Sequence, residues 1–193
     1  MTMTYRNARW LILPVAAMSL SACGINSVPT KEEAAKAKWA NVEAAYQRRA
    51  DLIPNLVETA KGAANIEQST LEGVIQARAS ATQVKLGTDD LNDPAKVQAF
   101  QQAQGNVSGA LGRLLVTVEQ YPDLKSQARF ADLMTQLEGT ENRINVTVQD
   151  YNTTIRTFPD IIGAKIVHGA EPMTPYRAIT PNANQAPKVD FGS

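Results

Sequence analysis

The chain has 193 residues, 44% of them hydrophobic but only 6% aromatic, and its 19 basic and 19 acidic residues cancel. That length suffices for one buried core, and a balanced charge gives no support for nucleic-acid binding, which usually needs a basic face. One cysteine and one histidine exclude an intrachain disulfide and argue against a Cys/His metal cluster or a Cys–His catalytic pair.

At the N-terminus, Arg6 and Arg9 precede an apolar run from Trp10 to Leu20 that Pro14 interrupts. A bilayer span takes about 20 apolar residues, so this run is too short to cross comfortably and reads as a secretory signal. It ends Leu20-Ser21-Ala22-Cys23, which resembles the lipobox of bacterial lipoproteins. The resemblance implies that the Cys23 thiol receives a diacylglyceryl group and that cleavage before it makes Cys23 the first mature residue. Residues 1–22 are then a signal peptide and residues 23–30 a tether. Removing Arg6 and Arg9 from 19 basic residues leaves 17 against 19 acidic. Gly24, where an aspartate would favour inner-membrane retention in enteric bacteria, favours the periplasmic face of the outer membrane.

The body is expected over residues 31–158. Thr30 and Glu33 fit a capping box, and a first helix over 31–64 carries a seam at Trp39, Val42, Tyr46, Ile53, Leu56, Ala60 and Ala63. Pro54 lies inside it and predicts a bent, continuous helix. A second helix over 67–86 carries Thr70, Val74, Ala77, Ala81 and Val84. Asp93 as N-cap and Pro94 as first residue open a third helix to about Glu119. Its seam is Val97, Phe100, Gln104, Val107, Leu111, Leu114 and Val118. After Tyr121-Pro122, a fourth helix to about Thr157 carries Leu124, Ala128, Ala131, Met134, Leu137, Glu141, Ile144, Val148 and Tyr151. The pattern predicts an all-α fold, a four-helix bundle of long antiparallel helices with an irregular Pro-rich tail over 159–193. In that tail Val189 and Phe191 are expected to dock on the bundle, and His168 reads as a solvated side chain. Glu32/Glu33 and Asp89/Asp90 read as solvated caps.

Asn41-Val-Glu-Ala-Ala-Tyr-Gln-Arg-Arg-Ala-Asp-Leu-Ile-Pro-Asn-Leu-Val57 resembles the signature of the LemA family, as do Tyr121-Pro-Asp-Leu124, Leu137-Glu-Gly-Thr-Glu-Asn-Arg-Ile144 and Tyr151-Asn-Thr-Thr-Ile-Arg-Thr-Phe-Pro159. The resemblance spans about residues 39 to 191. It implies a membrane-tethered helical bundle facing away from the cytoplasm, and it supplies no reaction. Many family members use an N-terminal transmembrane helix where this chain has a lipobox.

Three seam positions are polar: Arg49, Gln104 and Glu141. A guanidinium on a packing face needs a partner or a route to water. One reading is a buried layer in which Arg49 pairs with Glu141 and fixes helix register. Another puts the three at the stripe's edge, stems packed and heads wet. A third makes them line a small ligand site. No Gly-rich phosphate loop, His-Glu-x-x-His or Gly-x-Ser-x-Gly is present, so no catalytic residue, metal ligand or cofactor is assigned. The expected function is a non-enzymatic envelope lipoprotein, held to the membrane by its lipid and presenting surface to envelope proteins. The alternative is a carrier or sensor that takes a small apolar ligand between the helices.

Overall fold

The computed structural model describes residues 27–63, 66–156 and 171–179. Leu20 to Cys23, His168, Val189 and Phe191 lie outside them, as does most of the 159–193 tail. Five α-helices and no strand occur among the described residues: α1 Ser27–Ala63, α2 Gln68–Gln83, α3 Pro94–Val118, the short α4 Pro122–Lys125, and α5 Ala128–Arg156. The protein is all-α.

Four of these helices run alternately up and down. Lys38 faces Asp150 and Arg49 faces Glu141, so α1 and α5 are antiparallel. Trp39 meets the carbonyl of Leu86 and Ala50 meets Arg78, so α2 returns along α1. Trp39 touches Phe100 while Arg49 reaches Gln104 and Ser108, so α3 runs parallel to α1. At 1.5 Å per residue α1 is about 55 Å long and α2 about 24 Å, so α2 covers under half of its neighbour.

The helix boundaries differ from the sequence reading in three places. The helix α1 begins at Ser27, ahead of the Thr30–Glu33 box and inside the stretch expected to be tether. Pro29 sits in its first turn, where the missing N–H has no intrahelical partner to lose. The second helix stops at Gln83, and Val84 turns extended, with Leu86 buried beyond it. Leu71, not Thr70, is its first buried side chain. The fourth helix is two: a turn at Ser126 and a non-helical Gln127 separate α4 from α5. That break resets the helical phase. Ala128 and Ala131, in register with Leu124 on an unbroken helix, are exposed, while Phe130 and Leu133 are buried.

Two local devices hold as the chemistry requires. Asp93 caps α3, its Oδ1 accepting from Ala95 N at 2.9 Å and Lys96 N at 3.3 Å, an arrangement worth about 1 kcal/mol. Pro54 leaves the carbonyl of Ala50 without its usual i+4 donor. Arg78 Nε on α2 donates to that same carbonyl, so α1 continues through the proline while gaining a tie to its neighbour.

Residues 171–179 have no regular structure, yet they are docked. Asn152 holds Tyr176 from both sides: Oδ1 accepts from its N at 2.9 Å and Nδ2 donates to its carbonyl at 2.6 Å. Tyr151 Oη donates to the carbonyl of Thr174, and Thr174 N donates to the carbonyl of Leu91. The Tyr176 ring lies 5.4 Å from Trp39 and 6.0 Å from Phe100. Gly105 lets the strap lie close, since a Cβ there would stand 3.1 Å from the Ile179 side chain.

The core falls into two clusters. One is aliphatic, built on Ile53, Leu56, Leu111, Leu114 and Leu137. The other is largely aromatic, built on Trp39, Tyr46, Phe100, Tyr151 and Tyr176. Arg49 lies between them.

Candidate functional site

Arg49 occupies the seam of α1 between Tyr46 and Ile53, and only 1% of its side-chain surface is exposed. Burying a guanidinium costs several kcal/mol unless its donors are met. Here four bonds meet them. Nη1 donates to Ser108 Oγ at 2.8 Å and to Glu141 Oε1 at 3.1 Å; Nη2 donates to Gln104 Oε1 at 2.6 Å and to the Gln104 carbonyl at 3.1 Å. Its carbon lies 4.9 Å from the centre of the Tyr46 ring, within cation–π range.

Helical spacing explains why these partners converge. Gln104 and Ser108 are four residues apart on α3 and share one face, and Ser108 Oγ also donates to the Gln104 carbonyl at 3.3 Å. Glu141 comes from α5 on the other side. The structure therefore brings Arg49, Gln104 and Glu141 to one level of the bundle. Glu141 is 23% exposed, so it is at once the partner of Arg49 and a residue of the rim. Its Oε2 is buried and lacks a hydrogen-bond partner among the described residues. A carboxylate oxygen left so is a local cost to stability.

Sequence reasoning missed Ser108, Tyr46 as the ring against the guanidinium, and Arg78. Ser108 is small enough to sit beside the stripe of α3 without breaking it, so periodicity gave no signal. Arg78 had one: a proline inside a helix frees the carbonyl four residues back, and something must donate to it.

Against this layer lies a cavity of about 340 Å³ between α1, α2 and α3. Beyond the end of α2, Val84, Lys85, Leu86 and Gly87 complete its lining. Its inner wall is Tyr46, Ile53, Phe100 and Val107, and Arg49 and Gln104 also line it. Glu43, Arg78 and Lys85 supply its other charges. Burial pushes the Glu43 carboxyl above the usual carboxylate range.

The Arg49 guanidinium offers N–H donors in a rigid fork, suited to binding and positioning an acceptor. Among the described residues no group of three or more His, Cys, Asp or Glu side chains could hold a metal ion. No helix among the described residues is long and apolar enough to cross a membrane.

Residues 38–191 match the LemA family, a span that includes the Arg49 layer, the cavity and the strap. The chain belongs to the LemA family. Its relatives include Magnetosome protein MamQ 2 of Paramagnetospirillum magneticum, 30% identical over 149 residues, which cover 69% of this chain and 55% of that protein. Magnetosome protein MamQ of Magnetospirillum gryphiswaldense is 29% identical over 170 residues, 77% of this chain and 62% of that protein. Protein LemA of Metamycoplasma hominis is 27% identical over 117 residues, 61% and 49% respectively. The chain thus spans about half to three fifths of the length of these relatives.

Proposed function

We propose that this LemA-family protein is an envelope lipoprotein, anchored through Cys23 on the periplasmic face of the outer membrane, whose bundle serves as a non-enzymatic scaffold for other envelope proteins. The observation that carries the anchor is Leu20-Ser21-Ala22-Cys23 at the end of a basic-then-apolar leader. Helix α1 begins four residues after Cys23, so the lipid would hold a rigid rod and not a free coil. Several acyl chains anchor durably where one is marginal, at about 0.8 kcal/mol per buried CH₂. The scaffold reading is supported by the Arg49 layer, in which the guanidinium is spent on Gln104, Ser108 and Glu141. The names of the MamQ relatives place those proteins with the magnetosome, which agrees with a role at a membrane.

Metabolic labelling with a palmitate analogue tests the anchor. The wild type is expected to take the label and to fractionate with membranes. Cys23→Ser is expected to do neither. An unlabelled wild type that stays in the cytosol would remove the proposal.

A second reading, a carrier for a small molecule held between the helices, is favoured by one observation. The cavity of about 340 Å³ falls within the range of ligand pockets, roughly 300–1,000 Å³.

A further inference from the structure

We infer that the cavity between α1, α2 and α3 binds a small amphipathic anion: an apolar chain of medium length carrying a carboxylate or phosphate head. The inference rests on the carrier reading and replaces its wholly apolar ligand with a charged one.

The inner wall sets the apolar half. Ile53, Phe100 and Val107 face the space, and the main cores of the bundle lie behind them. An alkyl chain of several carbons there would leave water at about 0.8 kcal/mol per CH₂.

The charges set the head group. Arg49, Arg78 and Lys85 line the cavity against a single acid, Glu43. The positive end of the Arg49–Glu141 pair lines the cavity while Glu141 does not, so the field on that side is that of the cation. Arg78 spends only its Nε, on the Ala50 carbonyl; its two terminal nitrogens and the Lys85 ammonium have no hydrogen bond or ion pair among the described residues. Those are the donors a carboxylate or phosphate needs, with Arg78 able to present a planar fork. Glu43 is the one acid against three cations in that lining, and no salt bridge joins it to Arg78 or Lys85 among the described residues.

Past Gln83 the chain leaves the helix: Val84 is extended, and Val84, Lys85, Leu86 and Gly87 all line the cavity. Arg78 stabilises the same region by capping the carbonyl that Pro54 freed, so the cation is held in place before any ligand arrives.

The test is binding to the mature protein followed by amide chemical shifts, with four probes: octanoate, octyl phosphate, octanol and inorganic phosphate. Octanoate or octyl phosphate is expected to bind at least tenfold more tightly than octanol or inorganic phosphate, with shifts centred on Ala81, Val84 and Val107. Whichever of the two binds better identifies the head group. Lys85→Gln is expected to weaken anion binding about tenfold while leaving the melting temperature unchanged, since the Lys85 side chain is exposed. Arg78→Gln is expected to weaken it further, with some loss of stability from the Ala50 carbonyl. Octanol binding as tightly as octanoate would overturn the charge assignment and leave the carrier reading standing. No binding by any probe, or shifts away from the cavity, would overturn both. An anion affinity unchanged in Lys85→Gln and Arg78→Gln would overturn the assignment of the head group to these cations.

Discussion

On one side of Arg49 the core is aliphatic: Ile53, Leu56, Leu111, Leu114 and Leu137 interdigitate from three helices. On the other side five aromatic rings dominate, and one of them, Tyr176, arrives from a strap with no regular structure. The aliphatic half is held by shape, its side chains drawn from the helices apart from Ile66 in the link before α2. The aromatic half is also pinned by directed bonds: Trp39 Nε1 to the Leu86 carbonyl at 2.9 Å, and Tyr46 Oη to Tyr176 Oη at 2.8 Å. The difference follows from coverage. Where α2 spans the bundle, helices can close the core by themselves. Where it has ended, loop and strap must do so, and irregular chain brings backbone groups that need named partners.

The largest expected effect tests that difference directly. Trp39→Ala removes a fully buried ring and strands the Leu86 carbonyl, for a loss of about 4–5 kcal/mol; Leu114→Ala, in the aliphatic half, is expected to lose about 3 kcal/mol. Urea denaturation measures both. Because α1, α3 and α5 run through both halves, each variant is expected to keep a single transition. Two transitions in either would divide the core into separate folding units.

Next comes the boundary. Arg49→Met leaves Glu141 facing apolar neighbours and is expected to lose about 3 kcal/mol, whereas Arg49→Met combined with Glu141→Leu is expected to recover most of it. A double variant no better than the single would mean that Gln104 and Ser108, not the ion pair, carry the layer.

The smallest effect sharpens the aromatic side. Burial pushes the Tyr46 hydroxyl up to about 12 and raises those of Tyr151 and Tyr176 as well. Above pH 10 an unfolded tyrosine surrenders its proton while these keep theirs. The unfolded state therefore gains, and stability falls from pH 10 upward, through about pH 12 for Tyr46. The slope is about 1.4 kcal/mol per pH unit for each tyrosine. Tyr176→Phe is expected to lower that alkaline slope by one tyrosine's share and to lose about 1 kcal/mol at pH 8, where only its bond to Tyr46 goes missing. Urea midpoints at pH 8, 10 and 11 read both, and an unchanged slope in Tyr176→Phe would separate Tyr176 from the alkaline loss.

Much of this was legible along the chain, because helical seams repeat at a fixed spacing. Trp39, Val42, Tyr46, Ile53, Leu56 and Ala60 are all buried, as are Val97, Phe100, Val107, Leu111, Leu114 and Val118. The spacing predicts one helix through Ser126 and Gln127, but a two-residue break that leaves no mark in composition puts Phe130 and Leu133 in the core. The Arg49 layer was half legible. Arg49, Gln104 and Glu141 each interrupt a stripe, whereas Ser108 interrupts nothing.

From the sequence alone came the helical class, the number of long rods and the odd cation on the α1 seam, because all three are periodic and local. Tertiary structure alone decided that Gln104 and Ser108 from α3 and Glu141 from α5 meet that cation, that Arg78 answers Pro54, and that Tyr176 completes an aromatic core begun by Trp39. Those contacts join residues 28 to 137 positions apart, and no local preference records a distance set by how rods pack.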